Sequence, residues 1–120
     1  MKIALSASGK DLHSNLDLRF GRSSYFIIYD LGTDQFKAME NKGESAGGGA
    51  GIAAAQQLID ERVEAIISNN IGPNAFDLLI SSDIKMYKGK NIPCKLLVEM
   101  FKEKKLEEIK ESRPSRKGGF

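Results

Sequence analysis

The run Tyr25-Phe26-Ile27-Ile28-Tyr29 constrains this chain more than any other stretch. Consecutive apolar, β-favouring residues leave no polar face for water, so the strand they form must be covered on both sides. With 120 residues the chain has the size of one ordinary domain, and the cover has to come from its own helices. Two further short apolar runs fit the same sheet: Lys2 to Ala7, which buries Ile3, Ala4 and Leu5, and Ala65-Ile66-Ile67-Ser68. Phe36 to Asn41 mixes apolar and polar residues as an edge strand does, and Leu31-Gly32-Thr33-Asp34 supplies the turn of an antiparallel hairpin with the central strand. Ile84 to Tyr87 reads as a further strand.

Helical spacing begins at Ile52, with Ile52, Ala55, Ile59 and Val63 on one face. Pro73 suits the first position of a second helix, whose apolar face holds Phe76, Leu79 and Ile80. Pro93 opens a third, with Leu96, Leu97, Met100 and Phe101 on its apolar side. The order β-β-β-α-β-α-β-α with one-sided helices predicts an α/β fold, a mixed sheet in a three-layer α/β/α domain. Four loops, residues 8–23, 42–51, 69–73 and 88–93, then emerge at the carboxyl ends of the parallel strands, where open α/β sheets place their ligands. Three lead into helix N-termini, so the expected ligand is an anion.

Composition narrows the partners. Hydrophobic residues at 41% and charged ones at 28% exclude a disordered, collagen-like or membrane-spanning class. No segment approaches the ~20 apolar residues of a transmembrane helix, and the N-terminal apolar run is too short for a signal peptide. With one cysteine, Cys94, no intramolecular disulfide forms, and the expected location is the cytoplasm. The net charge of +2 comes from the end of the chain, since residues 101–120 hold 7 Lys/Arg against 4 Asp/Glu. The expectation is a domain over 1–111, a disordered basic tail over 112–120, and neither a nucleic-acid nor a membrane partner.

Several short motifs carry candidate chemistry. Gly49-Ala50-Gly51-Ile52-Ala53-Ala54 matches the G-x-G-x-x-A form of the dinucleotide fingerprint, but the next strand ends in Ser68-Asn69-Asn70, with no acid for a ribose. No Lys-Ser/Thr follows the glycines, so the loop is not a Walker A motif. Arg19-Phe20-Gly21-Arg22 sets two guanidinium groups beside a glycine, an arrangement that suits an anion clamp or surface pairing with Asp17 or Asp30. His13 and Cys94 are the only histidine and thiol. Cys94 sits just inside a helix N-terminus, which lowers a thiol pKa; its plainer reading is a small buried hydrophobe. The first strand has no carboxylate, against two-metal phosphodiester hydrolysis, and no credible acid–base or nucleophile–base pair is present, so the chain is read as a non-enzyme.

Together, Met1-Lys2-Ile3-Ala4, Arg19-Phe20-Gly21-Arg22 before Tyr25-Phe26, Gly47-Gly48-Gly49-Ala50-Gly51, Ile71-Gly72-Pro73-Asn74-Ala75 and Ile84-Lys85-Met86-Tyr87 resemble the dinitrogenase iron–molybdenum cofactor biosynthesis proteins. The resemblance runs from residue 1 to about 111. It implies a ribonuclease H-like fold with a five-stranded sheet in order 3-2-1-4-5 and strand two antiparallel. It also implies a non-enzymatic carrier of an anionic iron–sulfur or iron–molybdenum cluster precursor, with cofactor-assembly proteins as partners. Many members read His-Phe-Gly-Arg where this chain has Arg19, and that histidine is thought to help hold the cluster. With arginine in its place, the expected cofactor-binding residues are Arg19, Gly21, Arg22, Gly48, Gly49, Gly72 and Asn74, and the candidate direct metal ligands are His13 and Cys94. The alternative is a regulatory or scaffold domain that binds a nucleotide or other organic phosphate at Gly47–Gly51 and Gly72–Asn74.

Overall fold

The computed structural model describes residues 1–112; the basic tail expected from residue 112 lies, Ser112 apart, outside the described residues. The strands are β1 (Lys2–Ala7), β2 (Tyr25–Asp30), β3 (Gln35–Glu40), β4 (Ala65–Ser68) and β5 (Lys85–Lys88), and the helices are α1 (Ala50–Asp60), α2 (Pro73–Ser81) and α3 (Cys94–Lys102). The sheet order is β3-β2-β1-β4-β5. β2 is antiparallel to both β1 and β3, whereas β1, β4 and β5 are parallel. This is the ribonuclease H-like arrangement anticipated from the residues and the resemblance.

Alternation along each strand assigns the two faces. Ala4, Phe26, Ile28, Ile66 and Met86 face α1 and α2 and bury Ala54, Ala55, Leu58, Ala75 and Leu79. Ile3, Leu5, Ile27, Tyr29 and Ile67 face α3 and bury Cys94, Leu97 and Val98. Full burial of a leucine such as Leu58 contributes roughly 1.5–3 kcal/mol, and β2 draws on both layers at once.

Ile80 and Leu96, placed by the sequence on the apolar faces of α2 and α3, are 48% and 51% exposed, and two further features differ from the sequence reading. The buried face of α1 is Ala54, Ala55, Gln57 and Leu58, while Ile52 is 40% exposed. Small residues let the helix lie close to the sheet, and Gln57 is buried because it bridges the end of β3, donating to the Glu40 carbonyl at 2.8 Å and accepting from the Lys42 N–H at 2.9 Å. The second difference follows α3. Lys104 turns the chain with φ 58°, and the segment then runs along the outer edge of β5. There Lys88 N–H donates to the Glu107 carbonyl at 2.8 Å and Ile109 N–H to the Met86 carbonyl at 2.7 Å. β5 is therefore paired on both sides, and β3 is the edge left open among the described residues.

Candidate functional site

Phe20 is buried against Phe26, with ring centroids 5.5 Å apart, and this anchors the turn that presents Arg19, Gly21 and Arg22 at the carboxyl end of β1. Buried Asn41 ties the turn to the end of β3. Its amide donates to the Phe20 carbonyl at 3.2 Å and to Ser23 Oγ at 3.0 Å, and its Oδ1 accepts from the Gly43 N–H at 2.8 Å. A Cβ on Gly21 would lie 3.0 Å from the Gly51 nitrogen, and one on Gly43 would lie 2.4 Å from the Ala50 carbonyl oxygen. Three backbone segments thus meet at a closeness only glycine allows. Arg22 Nη1 folds the glycine-rich loop back on itself, donating to the carbonyls of Ala46 at 2.9 Å, Glu44 at 3.2 Å and Gly43 at 3.4 Å.

Two helices begin beside this turn. α1 starts at Gly49, in the left-handed region with φ 67°, and α2 at Gly72 with Pro73 in its first turn. Neither has a side-chain cap or an acidic residue in its first turn. The first intrahelical bonds are Ala53 N–H to Gly49 and Phe76 N–H to Gly72. Main-chain N–H groups of Ala50, Gly51, Ile52, Asn74 and Ala75 are therefore left without a backbone acceptor among the described residues. The helix starts are close, for a Cβ on Gly51 would stand 3.2 Å from Ala75 Cβ. Between them lies a cavity of about 440 Å³ lined by Arg19, Gly21, Arg22, Gly49, Gly72 and Asn74, with Ile52 and Asn70 also on its wall. Gly48 precedes it in the loop, with open space where a Cβ would stand. The free N–H groups at two helix starts and the guanidinium groups on the wall give this cavity an array of donors suited to an anion.

Arg19 is paired. Its Nε and Nη2 donate to the two carboxylate oxygens of Asp17 at 3.0 and 2.8 Å, and its main-chain N–H also reaches Asp17 Oδ1 at 2.9 Å. The guanidinium beside it holds the Asp17 carboxyl below the usual carboxylate range, and the arginine is held above its own.

The two candidate metal ligands lie elsewhere. Cys94 belongs to the α3 layer, fully buried, and burial pushes its thiol up to about 12 rather than down. The nearby Asp11 carboxylate adds to the rise and the Cys94 N–H opposes it only weakly, since the amides at the α3 N-terminus are already taken: Cys94 N–H donates to the Ser14 carbonyl and Lys95 N–H to Leu12, both at 2.9 Å. His13 is exposed on the same loop. Among the described residues, no three His, Cys, Asp or Glu side chains are grouped to hold a metal ion. A second cavity, of about 600 Å³, adjoins the first across Asn70, but Lys88 and Lys110 share its wall with Glu107, Glu108 and Glu111, so it lacks a single sign of charge.

Residues 1–104 match the family model described as dinitrogenase iron–molybdenum cofactor. The chain belongs to that family. Among relatives of this family member, an uncharacterised protein of Methanocaldococcus jannaschii is 30% identical over 112 residues, covering 91% of this chain and 92% of the relative. The apo form of the orange protein (ORP) from Desulfovibrio gigas superposes with a TM-score of 0.89 at 27% identity, covering 94% of this chain and 96% of that one. A NifB-like Thermotoga protein of the DUF35 family gives 0.82 at 32% identity, covering 95% and 97%.

Sequence reasoning did not single out Gly43 or Asn41, and it read Gly51 as part of a phosphate-binding pattern rather than as a contact glycine. The cluster of glycines was visible, but which of them are contact glycines depends on long-range packing that spacing does not encode. Asp17 was visible only as one of two partners open to the arginines.

Proposed function

We propose that this family member is a non-enzymatic carrier in nitrogenase iron–molybdenum cofactor biosynthesis, taking an anionic iron–sulfur or iron–molybdenum cluster precursor as cargo at the cavity between the α1 and α2 N-termini. The observation that carries the reading is the convergence of two uncapped helix starts with Arg19 and Arg22 on one cavity. Sulfide or oxide atoms of such a cargo accept hydrogen bonds from backbone N–H groups and arginine, so these directional donors suffice to hold it. The protonated, buried Cys94 thiol does not favour a direct metal bond there. The family match supports the reading, and so does the orange protein, whose description as an apo form implies a form with something bound. A cytoplasmic setting and cofactor-assembly proteins as delivery partners accord with this role; no helix among the described residues is long and apolar enough to cross a membrane.

The test is anaerobic reconstitution with iron, molybdate and sulfide, followed by metal and sulfide analysis of the re-isolated protein. Stoichiometric uptake that falls in Arg19→Gln/Arg22→Gln and persists in His13→Ala/Cys94→Ser is expected. Absence of uptake by folded protein, or loss of uptake only in the His13/Cys94 variant, overturns the assignment. The G-x-G-x-x-A start of α1 favours one second reading, an organic phosphate in the same cavity. A rise in melting temperature with nucleotides but not with metal–sulfur anions would select it.

A further inference from the structure

The Arg19–Asp17 pair differs from an ordinary surface ion pair in how firmly its acidic half is held. Asp17 N–H donates to the Ser6 carbonyl at 2.9 Å, and Ser6 Oγ donates to the Asp17 carbonyl at 2.7 Å. Ser6 lies at the end of β1 and is fully buried. Its hydroxyl, already donating to Asp17, accepts from Ser68 Oγ of β4 at 2.6 Å. Asp17 is thus pinned to the central parallel strands, with its side chain 12% exposed, whereas that of Arg19 is 65% exposed.

The carboxylate takes one edge of the guanidinium, Nε with Nη2. The outer edge, Nη1 and the remaining N–H of Nη2, is left without a hydrogen-bond partner among the described residues, and Arg19 lines the cavity between α1 and α2. The same contact places a negative charge beside the positive one that the cavity offers.

Resting on the reading of that cavity as an anion site, we infer that Asp17 is a positioning and specificity-determining residue, an internal counter-ion that aims Arg19 and cancels its charge. Directional N–H donors then do the holding, and net charge does little. A small, abundant oxyanion that reaches only part of the donor array is held poorly, while a larger polyanion in contact with both helix starts is held well. Cancellation also keeps the cargo exchangeable, which a carrier requires.

The inference reads out as an inversion of sign. Asp17→Asn keeps an acceptor for the Arg19 N–H groups but removes the charge. At low ionic strength it is expected to bind tetrathiomolybdate, a soluble molybdenum–sulfide dianion, and inorganic phosphate roughly three- to tenfold more tightly than the unaltered protein. The gain should shrink to less than about twofold near 0.5 M salt, because exposed charges are screened. Arg19→Gln, which leaves the carboxylate uncompensated, should bind more weakly than the unaltered protein, and Asp17→Asn added to it should restore binding. Calorimetric titration gives the affinities, and a thermal melt of each variant checks folding. If the unaltered protein binds tetrathiomolybdate while Asp17→Asn binds it no more tightly, the counter-ion inference alone falls. If none of the folded proteins binds either anion, the reading of the cavity falls and takes the inference with it.

Discussion

Three helices begin at the carboxyl end of one sheet, and they divide into two kinds. The α1 and α2 starts are bare, glycine-bordered and joined by a cavity. The α3 start is plugged by the loop after β1, whose Leu12 and Ser14 carbonyls occupy its amides and whose neighbour Cys94 is sealed in the core. A helix N-terminus can take an anion only while its donors are free, so the same dipole faces an open cavity on one face of the sheet and anchors a loop on the other.

The contrast is open to attack from both sides. The largest expected effect is at Gly43. A valine there must displace the Ala50 carbonyl and the Gly21 backbone, so Gly43→Val should lose on the order of 1–3 kcal/mol in a urea melt and lose cargo uptake as well. Unchanged stability would mean that the three segments are not locked. Next in size, Gly49→Ala forces a Cβ into a left-handed backbone at the start of α1 and should cost about 1 kcal/mol, whereas Gly48→Ala, in open space, should cost no more than a few tenths. Equal effects would show that the α1 start is not held as described.

At α3 the signature is alkaline. The folded Cys94 pKa of about 12 lies above the ordinary 9.0, so the thiol's contribution to stability is intact below pH 9 and declines as pH rises from about 9 to 12. Cys94→Ala should remove that part of the alkaline slope, and the native thiol should resist alkylation until the protein unfolds. The smallest effect is acidic. The folded Asp17 pKa lies below the ordinary 3.8, so its pair with Arg19 contributes above about pH 4 and loses that contribution as pH falls through the folded value. With Arg19 so exposed, solvent screens the pair and the effect is small; comparison of acid melts with Asp17→Asn measures it.

What the residues alone revealed follows the physical range of each effect. Apolar runs and Pro73 are local signals, and they located the strands and the α2 start to within a residue or so. Sheet order 3-2-1-4-5 is nonlocal and came from the resemblance rather than from periodicity. Of the face expected for the first helix, Ala55, Ile59 and Val63 do join the core; Ile52 does not, and it was included because it outweighs Ala54 on any hydropathy scale, although the alanines are what permit close packing. Arg19, Gly21, Arg22, Gly49, Gly72 and Asn74 could be grouped because they flank strand ends that topology brings together. The separation of Cys94 and His13 from them could not, since it depends on which face of the sheet α3 covers and on backbone carbonyls of a loop without sequence periodicity.

The strap along β5 bears on where this domain ends. The family match stops at residue 104, yet the hydrogen bonds that close the β5 edge come from residues 107 and 109. A chain trimmed to the shared pattern would keep every residue of the candidate cavity and expose a raw strand edge, the template on which sheets of separate molecules stack. Aggregation, rather than loss of the site, would be the penalty for cutting there.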